Sequence, residues 1–363
     1  MRPLRYSNVP FARFGRANSP KTSNSAAGRL SELTEFGLNP GHLRARLCIP
    51  TGLPAGAPLV VVLHGCTQTA AGYDHGSGWS SVADRYGFAV LYPEQQRANN
   101  PNLCFNWFVP SDSQRGAGEP FSIRQMIETI ITSHSIDRKR IFITGLSAGG
   151  AMAAVMLATY PEIFAGGAII AGLPYGCAKT IPEAFDRMKG RGALNDAELH
   201  ARVRAASDHD GPWPTISIWH GSADDIVDPA NAEALLTQWR LVHGLVEAPT
   251  RTESIRGYPR RIWCDGKGRE VIETYSITAM GHGTPLESGG SEGCGGSAPY
   301  MIEANISSTR RIAGFWRLTS TDEGHAGKAQ QADRASAASP WSQGISGIQK
   351  AISDALRAAG LMK

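Results

Sequence analysis

The sequence lacks any apolar run close to the ~20 residues that a membrane-spanning helix requires. It also lacks the Cys-x-x-Cys, His-x-x-x-His and His-Glu-x-x-His patterns that are typical of zinc sites, so we predict no metal and no cofactor. An excess of one charge is missing too, since 36 Lys and Arg against 32 Asp and Glu leave a net charge of only +4. That balance predicts no nucleic-acid partner.

Acidic residues are absent from the first 31 positions, and so is the apolar segment of a secretory signal peptide. We therefore predict a flexible basic arm over residues 1–40 and a cytoplasmic location; a transit peptide is the alternative for the arm. Near the other end, residues 319–343 are polar and rich in Ala, Ser and Gln, which predicts a linker. Residues 344–363 have the apolar spacing of one amphipathic helix.

The cysteines are widely spaced and leave their pairing undetermined. An even number favours disulfides, whereas a missing signal peptide favours a reducing compartment, and these two indications conflict. The six are Cys48, Cys66, Cys104, Cys177, Cys264 and Cys294.

Between residues 41 and 318, continuous apolar runs alternate with segments of helical spacing. The runs fit strands of a parallel sheet buried on both faces, and the alternation predicts an α/β fold with a mostly parallel, doubly wound sheet and helices on both faces. An antiparallel edge strand is predicted at 42–49, further strands at 59–63, 88–93, 140–143, 164–171 and 215–219, a hairpin at 260–264 and 271–277, and helices at 79–86, 121–135, 151–158, 229–242 and 300–318.

The stretch 144–150, Thr-Gly-Leu-Ser-Ala-Gly-Gly, lies between one of these strands and a helix. Gly-x-Ser-x-Gly at a strand-to-helix turn is the nucleophile elbow of the α/β-hydrolase fold. Gly145 and Gly149 carry no Cβ, so the strand and the helix can approach closely around Ser147. We therefore predict Ser147 as a nucleophile within an α/β-hydrolase domain over residues 41–318, with 174–213 as a small cap insertion.

The acid and the base of such a site follow the serine in the order acid, then histidine, each after a strand. Asp224 and His282 meet that order, and Asp224 has the Gly-x-x-Asp-x-x-Val spacing usual for the acid. Asp225 is the alternative acid, and Asp228 is predicted to cap the following helix.

Acyl transfer to a serine also needs N–H donors for the oxyanion. In this fold they come from the residue after the nucleophile, Ala148, and from the loop after an earlier strand, where Cys66 lies. The neighbouring segment 104–108 carries three aromatic residues and is either a substrate platform, with Asn106, Trp107 and Phe108 binding substrate, or a loop folded onto the core. His64 and His220, at strand ends, are predicted to be structural hydrogen bonders.

Four motifs together resemble the polyhydroxybutyrate (PHB) depolymerase esterase family, which is related to the feruloyl and acetylxylan esterases of carbohydrate esterase family 1. They are His64–Gln68, Gly145–Gly150, His220–Asp224 and Met280–Pro285. The resemblance implies a serine carboxylic-ester hydrolase acting on short 3-hydroxybutyrate esters or oligomers, with plant cell-wall esters as the alternative substrates. It also implies a Cys66–Cys104 disulfide and a secreted enzyme, against the cytoplasmic expectation.

Two other classes of protein agree less well with the sequence. A non-catalytic binding protein of this fold normally loses a member of the triad, whereas all three residue types are present here. A lipase acting at interfaces is disfavoured by the modest apolar content of 174–213. The oligomeric state is left open.

Overall fold

The computed structural model describes residues 28–290 and 293–319. Most of the predicted basic arm, nearly all of the predicted linker and the whole of the predicted C-terminal helix lie outside the described residues. Within this part of the chain, no helix is long and apolar enough to cross a membrane.

The strands and helices follow one another largely in the predicted alternation. The strands are β1 (Ser31–Leu33), β2 (Arg44–Cys48), β3 (Leu59–Leu63), β4 (Ala89–Glu94), β5 (Ile141–Leu146), β6 (Gly166–Ile170), β7 (Thr215–Gly221), β8 (Arg251–Ile255), β9 (Tyr258–Cys264), β10 (Glu270–Ile277), β11 (Thr284–Leu286) and β12 (Met301–Glu303). The helices are α1 (Ala70–Ser77), α2 (Trp79–Tyr86), α3 (Gly118–His134), α4 (Ala148–Thr159), α5 (Ile181–Met188), α6 (Asp196–Arg204), α7 (Ala230–Val242) and α8 (Ser308–Phe315).

One sheet of ten strands runs in the order β1-β2-β4-β3-β5-β6-β7-β10-β9-β8. The strands from β4 to β10 in that order are parallel, and the pairs β1-β2 and β9-β8 extend the two edges in antiparallel fashion. The predicted mostly parallel, doubly wound sheet is confirmed. Because parallel strands end at the same edge, the loops after β3, β5, β7 and β10 meet there.

Helices cover both faces of this sheet, as the continuous apolar strands require. Along β3, Leu59, Val61 and Leu63 face a core built with α3, α4 and α7. Val60 and Val62 face the opposite core, built with α1, α2 and α8. The two cores hold the central strands rigidly, so the loops at their carboxyl ends start from fixed positions.

Two predictions about individual elements are wrong. The strand predicted at the edge is β2, which lies one strand inside, because β1 pairs with it within the segment assigned to the arm. The helix predicted over 300–318 is the shorter α8, preceded by β12, which pairs in parallel with β11. Tyr300 and Asn305 adopt positive φ angles of 63° and 54°, and that backbone conformation interrupts a helix at both positions.

The insertion 174–213 contains α5 and α6 and lies against α7. Gln238 of α7 is fully buried and donates from Nε2 to the carbonyls of Tyr175 and Leu199, at 3.1 Å each. The carbonyl of Met188 at the end of α5 accepts the Asp228 N–H at 2.7 Å. The insertion therefore supports the loop after β7, and its role as a cap over substrate stays a prediction.

Candidate active site

Ser147 lies at the turn between β5 and α4 in a conformation with φ of 57° and ψ of −118°. Its N–H donates to the Ile170 carbonyl at 2.9 Å, which fixes the turn against the neighbouring strand. A Cβ on Gly145 would lie 2.4 Å from the Gly149 carbonyl carbon, and one on Gly149 would lie 2.4 Å from the Leu63 oxygen. The two glycines therefore allow the close approach that the strained serine needs.

The loops after β7 and β10 bring Asp224 and His282 together. Asp224 Oδ2 lies 2.8 Å from His282 Nδ1, and its Oδ1 accepts the N–H groups of Ile226 and Val227 at 2.9 Å each. Burial alone would raise the pKa of Asp224, but hydrogen bonds from His220, His282 and the Val227 N–H outweigh it and hold the pKa well below its usual value. The carboxyl group is therefore an anion at neutral pH, bound to one side of the imidazole.

The neighbouring acids lie elsewhere. Asp225 is exposed, and its carbonyl accepts a hydrogen bond from Lys189. Asp228 Oδ1 accepts the Ala230 N–H at 2.9 Å, so it caps the first turn of α7 as expected. Of the two candidate acids, Asp224 is thus the one that contacts His282.

A second histidine also contacts Asp224. His220 Nε2 lies 2.8 Å from the Val227 carbonyl and 3.3 Å from Asp224 Oδ2. Its Nδ1 is buried and has no hydrogen-bond partner among the described residues. Both acceptors lie at Nε2 and none of the described residues supplies one at Nδ1, so Nε2 is the ring nitrogen that carries a hydrogen and donates. The sequence predicts only a structural role for His220. Its position four residues before Asp224 is the one sequence feature that points to a contact between the two.

The loop after β3 carries Cys66 and is fastened to the segment after β4 at three points. A disulfide joins Cys66 to Cys104, as the family resemblance implied. The Thr67 N–H donates to the Asn102 carbonyl at 2.7 Å, and the Gln95 N–H donates to His64 Nε2 at 3.1 Å. Burial lowers the pKa of His64, which fits a neutral ring accepting at Nε2. The position of the Cys66 N–H therefore depends on residues 95–104.

Glu119 of α3 holds that segment through hydrogen bonds, and no sequence motif points to this residue. Its fully buried carboxyl accepts the Asn106 N–H and Nδ2 at 2.9 Å each and Gln95 Nε2 at 2.6 Å. Burial raises the pKa of Glu119 to about 8; the hydrogen bonds from Asn106 and Gln95 oppose that shift, and nearby Asp112 adds to it. Among the described residues, the Glu119 carboxyl is therefore bound by neutral amide donors and by no charged group.

The three predicted substrate-binding residues have different surroundings. Asn106 is buried, and its side-chain oxygen accepts from Asn100 at 2.9 Å while its nitrogen donates to Glu119, so its amide is engaged within the loop. Trp107 is buried, Phe108 is half-buried, and both rings pack against the core 5.2 Å apart. These contacts agree with a loop folded onto the core, and substrate binding at Asn106, Trp107 and Phe108 stays a prediction.

Metal-ligating side chains are not clustered in residues 28–290 and 293–319, where no group of three or more His, Cys, Asp or Glu could hold an ion.

Comparisons with known proteins find similar esterases. The family model described as Esterase PHB depolymerase matches residues 45–257. The chain is 45% identical over 298 residues to poly(3-hydroxyalkanoate) depolymerase C of Paucimonas lemoignei, covering 82% of this chain and 72% of that protein. It is 34% identical over 238 residues to acetylxylan esterase A of Aspergillus oryzae, covering 63% and 76%. The solved acetyl xylan esterase from Aspergillus awamori superposes with a TM-score of 0.69 at 25% identity, covering 80% of this chain and all of that one.

Proposed function

The chain belongs to the esterase PHB depolymerase family and is a carboxylic ester hydrolase, and from that premise we propose that it uses a Ser147–His282–Asp224 triad. The observation that carries the proposal is the 2.8 Å contact between Asp224 Oδ2 and His282 Nδ1. With Nδ1 engaged in this way, Nε2 is the imidazole nitrogen that can accept the Ser147 proton.

The reaction proceeds through an acyl-enzyme. Ser147 Oγ attacks the ester carbonyl while His282 takes its proton, and the imidazolium then protonates the departing alcohol oxygen. Asp224 stabilises the imidazolium because its pKa keeps it ionised at neutral pH. A water molecule then attacks the acyl-enzyme while His282 takes its proton, and the imidazolium returns a proton to Ser147 Oγ as the acid is released.

The N–H groups of Cys66 and Ala148 donate hydrogen bonds to the oxyanion of each tetrahedral intermediate. Ala148 is the first residue of α4, and the N–H groups of a first helical turn have no partner within the helix. The Cys66 loop is held by the disulfide and by the bonds to Asn102 and Gln95. A preorganised donor of this kind typically lowers the barrier by ~3 kcal/mol.

As substrates we propose short 3-hydroxyalkanoate esters and oligomers. Support comes from the 45% identity to a poly(3-hydroxyalkanoate) depolymerase over 82% of the chain. Acetylated or feruloylated cell-wall esters are the second candidate, because the matching structure and the relative from Aspergillus oryzae are both acetylxylan esterases.

The test compares the wild type with Ser147→Ala on 3-hydroxybutyrate dimer and trimer, acetylated xylan and methyl ferulate. We expect wild-type turnover of the oligomers, and a loss of kcat by ~10⁴-fold or more in the variant, with an unchanged melting temperature. Retained activity in Ser147→Ala would falsify the nucleophile assignment. Faster turnover of acetylated xylan or methyl ferulate than of the oligomers would favour the second candidate.

We also propose that the enzyme works in an oxidising compartment, which is the alternative location named above. The Cys66–Cys104 disulfide supports it, because such bonds persist mainly outside the cytosol. The cytoplasmic expectation finds no comparable support. Mass spectrometry of the natively produced protein without reduction should find this disulfide intact; two free thiols would contradict the proposal.

A further inference from the structure

Tyr300 lies against the candidate base, directly before β12. Its ring meets the His282 ring edge-on, with centroids 5.9 Å apart and planes at 79°. Its carbonyl accepts the Thr284 N–H at 2.8 Å, and β12 continues this pairing along β11. The tyrosine is therefore fixed to the segment that follows His282.

The same segment is fastened to the oxyanion loop. Gln68 Nε2 donates to the Pro299 carbonyl at 2.8 Å. The Thr67 side chain faces the Tyr300 hydroxyl; burial raises the pKa of the phenol, and Thr67 opposes that shift. Tyr300 thus spans from the base to the residue after Cys66, and at neutral pH it carries a proton that it can donate.

This position comes at a conformational cost. Tyr300 has a φ of 63°, which is unusual for a bulky residue. Its carbonyl lies so close to Gly283 that a Cβ there would be 2.6 Å from the oxygen. Such strain persists where the surrounding structure holds it, and it is concentrated at functional sites.

The hydroxyl of Tyr300 also differs from those of its neighbours. Its oxygen is buried, and although the Thr67 side chain lies next to it, no hydrogen bond of normal length and angle is formed among the described residues. By contrast, Tyr258 donates to the Ala304 carbonyl at 3.0 Å, and the Tyr73 hydroxyl lies 3.2 Å from that of Thr284. A buried donor without a partner destabilises the fold, so a site with one is suited to a ligand that accepts its hydrogen bond.

We propose that the Tyr300 hydroxyl donates a hydrogen bond to the alcohol part of the substrate, and this rests on the proposed function. His282 protonates the departing alcohol oxygen, so a side chain on the His282 ring that reaches the oxyanion loop lies on that side of the ester. The preferred substrate is then an ester whose alcohol part carries a second acceptor oxygen, as in a hydroxyacid oligomer or a sugar ester.

Two substrates with the same acyl part separate this role from a structural one. The 3-hydroxybutyrate dimer carries a carboxylate in its alcohol part, whereas ethyl 3-hydroxybutyrate carries no acceptor there. For Tyr300→Phe, which keeps the ring on His282, we expect about a tenfold or larger loss of kcat/KM on the dimer, mainly through KM. On the ethyl ester we expect a loss below about threefold.

Tyr258→Phe is the matched control, because it removes a hydroxyl that holds the same segment without contacting the site. It should change the two substrates equally. Equal losses on both substrates in Tyr300→Phe, or no loss on either, would overturn the role of Tyr300 alone. A wild-type enzyme that hydrolyses neither ester would contradict the proposed function and this inference with it.

Discussion

Two buried carboxyl groups support two different parts of the candidate site, and their surroundings shift their pKa values in opposite directions. Asp224, beside the base, accepts from two backbone N–H groups and contacts two imidazoles, so its pKa is lowered despite burial. Glu119, which holds the segment joined to the Cys66 loop, accepts hydrogen bonds from amides, and burial raises its pKa to about 8. Both are well supplied with donors, so the number of hydrogen bonds does not explain the difference.

The difference lies in the chemistry of the donors: hydrogen bonds from imidazoles and the charge interaction with His282 outweigh burial at Asp224, whereas hydrogen bonds from neutral amides do not outweigh it at Glu119. An imidazole beside Asp224 takes up a proton during the proposed reaction, and the anion then gains a full countercharge. The amides around Glu119 stay neutral, and Asp112 adds a like charge nearby. The Asp224 carboxyl is therefore suited to stabilise a charged imidazole. The Glu119 carboxyl instead holds the segment that is joined to the Cys66 loop.

The largest expected effect comes from neutralising the anion beside the base. Asp224→Asn keeps the size of the side chain but removes the charge that stabilises the imidazolium and selects its tautomer. We expect kcat to fall by ~10³–10⁴-fold with little change in KM, measured on the ester that the wild type hydrolyses fastest.

Asp225→Asn is the matched control, since this exposed neighbour is the alternative acid. We expect its kcat to stay within about threefold of wild type. A large loss at 225 together with a small one at 224 would reverse the assignment.

An intermediate effect is expected from removing the covalent link on the other side. The disulfide closes a loop with a sequence separation of 38. Its loss in the double variant Cys66→Ala/Cys104→Ala should lower the free energy of unfolding by about 3–4 kcal/mol. Because the Cys66 N–H loses a fixed position, we also expect kcat to fall by about tenfold, which is less than the loss of a complete oxyanion donor.

Urea unfolding and steady-state kinetics measure these two effects. Cys264→Ala, which removes a partly exposed free thiol, is the control and should match the wild type. An unchanged kcat in the double variant would mean that the hydrogen bonds to Asn102 and Gln95 hold the loop without the disulfide.

The smallest effect on catalysis is expected from the last prediction, which concerns the pH dependence of stability and separates the two carboxyl groups by sign. The raised pKa of Glu119 means that the folded state binds its proton more tightly than the unfolded state. Its contribution to stability is therefore complete below the unfolded pKa of about 4.5 and is lost as the pH rises to about 8. Relative to Glu119→Gln, the wild type should lose up to ~1.4 kcal/mol per pH unit across that window.

Asp224 should behave in the opposite way, because its pKa is lowered in the folded state. Its contribution is present above the unfolded pKa of about 4 and disappears as the pH falls below it. Unfolding titrations from pH 3 to pH 9 test both signs, with Glu35→Gln at an exposed position as the control. Parallel curves for wild type and Glu119→Gln would show that Glu119 does not titrate in this range.

The predictable parts of the site are those that short-range geometry requires. Gly-x-Ser-x-Gly after an apolar run, with an aspartate and a histidine after later strands, indicated the elbow and its partners, because each motif encodes a backbone turn at a strand end. Glu119 and Tyr300 were missed because their roles depend on contacts between distant segments. The local sequence predicts a helix over residues 300–318. The strand after Tyr300 forms only because it pairs with β11, and that partner cannot be seen in the local sequence.

By itself, the sequence predicted the doubly wound sheet and the family, and it supplied the candidate triad residues in their order, because apolar periodicity and turn chemistry act over a few residues. Tertiary structure decided the rest. Burial next to His282 distinguished Asp224 from its exposed neighbour, and burial among amides gave Glu119 its raised pKa. The pKa of a side chain and its contact partners depend on which distant segments meet in the folded protein, so the local sequence does not predict them.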